Sequence, residues 1–241
     1  MKKNLFLLLV LFYGLTGFAQ VNETTQFSGF GFTDKEYNHA VFVGPTIGAN
    51  MTMTSGQARK YDLFDGTGVG FTGGVAARVR FGHGTPNSQE GTGMFAAGFE
   101  VKYTLNNVKT NAEDNLKLGY LDIPVLLQFF PLAGTTTANG LFIEAGPDFA
   151  MLMSKSPSRL SLQLNQPYPG LQAIEYATGD LKGGDLRIAL GLGYNHSLSN
   201  MDLGIHARYY LGTSELSKNV LPVKLNTLEL SLSLMFKVAK F

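Results

Sequence analysis

Cysteine is absent from all 241 residues, so neither a disulfide nor a cysteine-bound metal belongs to this chain. Beyond the first twenty residues no apolar run is long enough to cross a membrane as a helix. Charge is scarce: 15% of residues are charged, against about 25% in ordinary soluble domains. A net charge of +1 gives no basis for a nucleic acid or polyanionic partner. The four histidines, His39, His83, His196 and His206, show no metal-ligand spacing. A hydropathy scan of the chain past residue 20 would read it as soluble, but strands that hide every second residue escape such scans. Glycine, by contrast, is plentiful at 29 residues.

The N-terminus reads as an export address. Lys2 and Lys3 precede an apolar core, Leu5 to Phe12, and Gly17-Phe18-Ala19 gives a small-x-small cleavage pattern. Residues 1–19 are therefore expected to be a cleavable signal peptide. The core is too short for an anchor helix, and the absence of cysteine excludes an acylated-cysteine anchor. Residues 20–38 are polar and irregular, with Phe27, Phe30 and Phe32 among glycines, and suit either a periplasmic tail or a segment tucked into the mouth of a barrel.

The rest of the chain, residues 39–241, is organised by a period of two. In Met201 to Gly212 the odd positions are Met, Leu, Ile, Ala, Tyr and Leu, while the even ones are Asp202, Gly204, His206, Arg208, Tyr210 and Gly212. A strand sends alternate side chains to opposite faces, so this ribbon has one apolar and one polar side. Leu186 to Tyr194 and Leu228 to Val238 repeat the pattern on either side, with Ser199-Asn200 as a tight turn. Five earlier segments obey the same rule: Ala40–Met51, Val69–Phe81, Met94–Leu105, Leu118–Phe130 and Leu141–Met153. Polar or turn-rich stretches separate them, the longest being the loop Ser154–Gly184 with Pro157, Pro167, Pro169 and Gly170. Amphipathic strands of this length, even in number and with both ends on one side, predict an all-β transmembrane antiparallel up-and-down barrel of about eight strands. A soluble sandwich is the alternative. Pro45, Pro124 and Pro147 fall inside strands, where each removes a ladder donor, and are expected to mark bulges.

Tyr120-Leu121-Asp122-Ile123-Pro124-Val125-Leu126-Leu127 resembles a strand of the PorT-like outer-membrane β-barrel family, a group of small porin-family barrels of Gram-negative cell envelopes. Phe142 to Pro147, Gly191-Leu192-Gly193-Tyr194, Arg208 to Gly212 and Gly70 to Gly74 resemble other strands of that family. The resemblance implies the fold, makes the two strand prolines within these motifs, Pro124 and Pro147, family features, and for some relatives implies a place in a protein-secretion machinery. One departure stands out. Such barrels usually end on an aromatic in phase with the lipid-facing side chains, and here Leu232, Leu234 and Phe236 set a phase that excludes the terminal Phe241. Either Phe236 closes the assembly signal or a bulge restores Phe241.

The inward phase collects the charges: Arg78, Arg80, Lys102, Arg187 and Arg208 against Glu100, Asp122, Glu144, Asp148, Asp185, Asp202 and Glu229, with His206 among them. Eight strands leave room for side chains but not for an aqueous pore. Buried charges must pair, so these residues predict a structural ion-pair network that plugs the lumen, with Arg208 and Glu229 on adjoining strands as one candidate pair. An enzyme reading would start from Asp202, His206 and Ser231 or Ser233, but Asp202 and His206 stand about 13 Å apart on their shared face, too far for a catalytic bond, and no catalytic, cofactor or metal site is assigned. The GxG pairs at Gly66-Gly68 and Gly191-Gly193 precede no helix, and Asp62 with Asp65 is weak spacing for a loop calcium. Phe42, Phe81, Phe95, Phe129, Phe142, Tyr194 and Phe236 gather at one end of their strands, where an aromatic girdle is expected on the periplasmic side.

The sequence thus predicts a monomeric, non-enzymatic outer-membrane barrel with a closed, charged lumen. Its partners are expected to be outer-membrane lipids, the assembly machinery during insertion, and an envelope or secretion protein met through the outer loops. A secretion-machine component and an outer-membrane lipid-modifying enzyme are the alternatives.

Overall fold

The computed structural model describes residues 39–56, 67–81, 93–110, 115–133, 140–157, 159–168, 171–177, 181–198, 200–216 and 223–240. Eight strands close into one antiparallel barrel: β1 (Ala40–Gly56), β2 (Gly68–Arg80), β3 (Phe95–Val108), β4 (Leu116–Phe129), β5 (Leu141–Ser156), β8 (Gly184–Leu198), β9 (Met201–Gly212) and β10 (Val223–Lys240). The order around the wall is β1-β10-β9-β8-β5-β4-β3-β2, and β1 closes the ring by pairing with both β2 and β10. Each strand pairs with its neighbours around the ring, so the backbone donors find their acceptors in the wall without a free edge. No helix occurs among the described residues.

The alternation predicted from the sequence decides which side chains enter the lumen. On β9 the even residues Asp202, His206, Arg208 and Tyr210 are buried, while Leu203, Ile205 and Leu211 are exposed. Outward positions elsewhere are held by exposed apolar residues such as Ile47, Phe71, Val75, Leu127, Ile143, Leu190 and Leu232. A protein whose core is charged and whose surface is apolar has the inverse of a soluble fold. That removes the sandwich alternative, which would bury the aliphatic face.

Three features differ from expectation. First, the stretch expected as a loop from Ser154 to Gly184 carries β5 on to Ser156 and then a separate hairpin, β6 (Arg159–Tyr168) with β7 (Leu171–Ala177). Leu160-Ser161-Leu162 and Ile174-Glu175-Tyr176 carry the period of two themselves, and Pro167 falls near the end of β6. Second, strands run further at this end, with β1 reaching Gly56 and β10 starting at Val223, since their ladder continues with Met53 opposite Asn226 and Ser55 opposite Lys224.

Third, the prolines are not bulges. Around Pro45, Pro124 and Pro147 the register runs on unchanged, with only gaps in the ladder on one side. Gly44 and Gly146 precede two of them and let the next strand in close: a Cβ on either would lie 1.9 Å from a carbonyl oxygen, of Leu234 or Val125. The register shifts lie elsewhere, at Met153 on β5 and Val238 on β10. The second puts Ala239 opposite the outward-facing Val41, so Ala239 takes the outward phase. Phe241, residues 1–38, the acidic pair Asp62 and Asp65, and His83 lie outside the described residues.

Candidate functional site

The barrel interior is layered. At the end that holds Ala40, Lys240 and the turn between β8 and β9, aromatic side chains fill the lumen. Phe42, Phe130 and Phe142 are all buried, and Phe130 and Phe142 meet with ring centroids 5.2 Å apart. The Arg80 guanidinium lies 3.8 Å above the Phe130 ring and donates from Nε to the Gly93 carbonyl at 3.2 Å, and Arg78 lies 5.0 Å from the Phe42 ring. This corrects the girdle. Phe42 and Phe142 share its level but point inward, as their even positions on β1 and β5 require, whereas Phe81, Phe95 and Phe236 are exposed on the outer wall.

The middle layer holds the charges, drawn together for the most part from walls that are not neighbours, with Arg187 and Asp148 on adjacent strands the exception. Arg208 on β9 donates from both terminal nitrogens to the two Glu100 oxygens on β3, at 2.7 Å each, and from Nε to Glu144 on β5 at 2.5 Å. Lys102 on β3 donates to Glu229 on β10 at 2.7 and 2.8 Å and to the Tyr210 hydroxyl at 2.6 Å. Arg187 on β8 lies 2.5 Å from Asp122 and from Asp148. Arg78 on β2 bonds Asp202 on β9. Every one of these charged groups is nearly or wholly buried. In a low-dielectric interior such pairing offsets a desolvation cost of several kcal/mol per ion.

Arg208 and Glu229 are directly opposite in register, but their side chains come only to 3.9 Å. The long guanidinium instead spans the lumen, and Glu229 turns to Lys102. Gly191 makes this geometry possible. It stands between Glu144 and Arg208 in the ladder, and a Cβ there would lie 2.9 Å from Arg208 Cγ and 3.0 Å from Glu144 Cγ. Asp185 takes no part in the central cluster; it is half-buried and accepts from the Ser214 backbone N–H at 3.2 Å.

Above the charges the lining turns neutral. Thr52 donates to Asn106 at 3.1 Å, Thr72 and Thr104 hydroxyls meet at 3.0 Å, and Val108, Leu116, Leu118, Val223 and Leu225 are buried beyond them.

An arrangement with a catalytic outline joins Ser233, His206 and Glu144. His206 Nε2 lies 3.0 Å from Ser233 Oγ, and Nδ1 lies 3.6 Å from Glu144. Arg208 Nη2, which can only donate, is 3.1 Å from Nδ1. With Nδ1 accepting from Arg208, the Nε2 proton is the one turned to Ser233, an arrangement that serves the network as a hydrogen bond between β9 and β10. The adjoining cavity, lined by Arg78, Glu100, Gln128, His206, Ser233 and Met235, has a volume of about 10 Å³, room for one water and no lipid. Gln128 joins the network by donating to Glu144 at 2.9 Å. Gln128 and Gly191 have no charge to mark them in the sequence; only their inward phase does.

A family model described as "Outer membrane protein beta-barrel domain" matches residues 18–217. No curated protein matches the chain. Among solved structures the chain is similar to Neisserial surface protein A, at 18% identity and a TM-score of 0.42, over 82% of this chain and 97% of that one. It is similar to the outer membrane protein OprG of Pseudomonas aeruginosa at 10% identity and a TM-score of 0.46, over 83% and 97%. Ail, the attachment invasion locus protein of Yersinia pestis, gives 11% identity and a TM-score of 0.38, over 82% and 99%.

Proposed function

The chain belongs to the outer-membrane β-barrel domain family, and from that premise we propose that it is a closed, non-catalytic barrel of the outer membrane whose loop face binds a surface or envelope partner. The observation that carries this reading is the reach of Arg208 across the lumen to Glu100, with Glu144 on its third side. An ion entering from either end would first meet an apolar layer and then have to displace paired charges in a low-dielectric interior, which is a steep barrier. Function then falls to the ends, and the two ends are unequal. The end opposite Ala40 and Lys240 carries the β6–β7 hairpin, whose ten- and seven-residue strands stand as a sheet of their own outside the wall. Elaborated loops on a rigid scaffold are where recognition concentrates. Export by the N-terminal signal, a monomeric state and contact with the assembly machinery during insertion complete the reading.

The test replaces residues 158–182 with a short linker and asks two things of the folded barrel. Crosslinking in intact cells should lose a specific partner that wild type captures, while liposomes holding either protein stay impermeable to small sugars. Sugar flux through wild type, or unchanged crosslinks after the replacement, would contradict the proposal.

A further inference from the structure

The outer wall of the barrel is uncharged except at one level. Among the described residues of the eight barrel strands, the only charged side chains in the outward phase are Lys117 on β4 and Lys224 on β10. Both lie at the loop end. Lys117 stands between Asn107 on β3 and Ser156 on β5 in direct register. One pair deeper, the Tyr103 hydroxyl shares a hydrogen bond with Ser154 Oγ at 3.1 Å, over Gly119. Lys224 stands beside Ser55 on β1, which accepts from Asn226 Nδ2 at 3.3 Å. In the ring of eight, β4 and β10 lie four places apart, so the two lysines occupy opposite walls.

Their depth is set by the strands. Each lysine lies about twelve residues from an outward phenylalanine on its own strand, Phe129 or Phe236, and every outward residue between is uncharged. Twelve residues at about 3.3 Å, tilted 35–45°, climb roughly 30 Å, against an apolar band of about 25 Å. Both ammonium groups therefore stand just past the band, among headgroups. Among the described residues of the eight barrel strands, no acidic side chain shares the outward phase with them.

We infer that these two clusters of ammonium, hydroxyl and amide groups bind phosphate-bearing lipid headgroups in the leaflet at the loop end, holding anionic lipid on opposite walls. This rests on the barrel spanning the outer membrane as proposed above. Phosphate suits the groups present. Its charge meets a lysine with no competing carboxylate in the same phase, and its oxygens can accept from the neighbouring side-chain hydroxyls and amides. Lysines that serve only to keep their amines solvated would show no preference among headgroups.

The experiment uses the full-length protein, refolded into nanodiscs of equal parts phosphatidylcholine and diphosphorylated lipid A, with the lipid bound to the released barrel counted by native mass spectrometry. Wild type should carry lipid A enriched severalfold over the bulk ratio, about fivefold per lysine at low salt. The K117Q/K224Q variant should fall towards the bulk ratio, each single variant should fall part way, and Lys240→Gln at the other end should match wild type. Millimolar inorganic phosphate should not release the lipid. Lipid A at the bulk ratio around wild type, equal enrichment around K117Q/K224Q, or release by free phosphate would each overturn the inference. A protein that never gives a heat-modifiable, lipid-inserted band would instead contradict the barrel reading itself, so the two failures are distinguishable.

Discussion

The two terminal guanidinium nitrogens of Arg208 each lie 2.7 Å from an oxygen of Glu100, and the two residues come from opposite walls of the barrel. A paired fork of this kind is among the stronger charge-assisted contacts, and here it ties β9 to β3 through the middle of the lumen. Glu144 and Glu229 complete the surroundings of the same cation, at 2.5 and 3.9 Å. The wall is held by its ladders, and the interior is held by bonds that run across it.

Removing Arg208 should be severe. Arg208→Met leaves Glu100 and Glu144 buried without their cation, and a broken buried pair costs about 3–5 kcal/mol. In urea unfolding from lipid vesicles, a double-mutant cycle should give Arg208 and Glu100 a coupling of about 1–3 kcal/mol. The Arg208–Glu229 cycle should give less, because Glu229 keeps Lys102. Equal coupling in both cycles would refute the cross-lumen assignment.

Gly191 should tolerate no side chain. Gly191→Val drives a Cβ against Arg208 Cγ and Glu144 Cγ, neither of which is a free chain end, and overpacking should cost about 1–3 kcal/mol. Gly73 is the control. It faces outward, and a Cβ added there would meet no atom nearer than 3.8 Å, so Gly73→Val should leave stability within about 0.5 kcal/mol. Stability in the same assay that is equal for both variants would contradict the lumen geometry.

Most of the wall was legible in the sequence because alternation alone determines it. The period of two assigned Arg78, Lys102, Asp122, Arg187 and Glu229 to the inside, and all five are buried there. What alternation cannot supply is reach. It puts Arg208 and Glu229 side by side, but a side chain long enough to cross the lumen chooses among every wall, and the glycine that frees its path carries no signal of its own. The aromatics show the same limit. Phe42 and Phe142 group with the girdle by height along the strand, although their parity already places them inside. The hairpin in the long loop was hidden by its prolines, whose turn-forming signal outweighed the short alternating runs on either side.

The outer wall makes its own prediction. Leu232 is half-exposed on the barrel surface, and Leu232→Arg near the bilayer midplane should cost about 2–4 kcal/mol in vesicle refolding. Arginine at Lys224 on the same strand, at headgroup depth, should cost nearly nothing. Equal costs at the two positions would contradict the depth assigned to β10.

The central claim is that the lumen conducts nothing, and planar-bilayer recording of the purified, refolded wild-type barrel tests it most directly. The buried ion pairs of Arg208, Lys102, Arg187 and Arg78, closed in by apolar layers at both ends, predict a silent bilayer at protein levels where a general porin gives clear steps. Reproducible single-channel steps from wild type, altered in size by Glu100→Gln or Glu144→Gln, would contradict it.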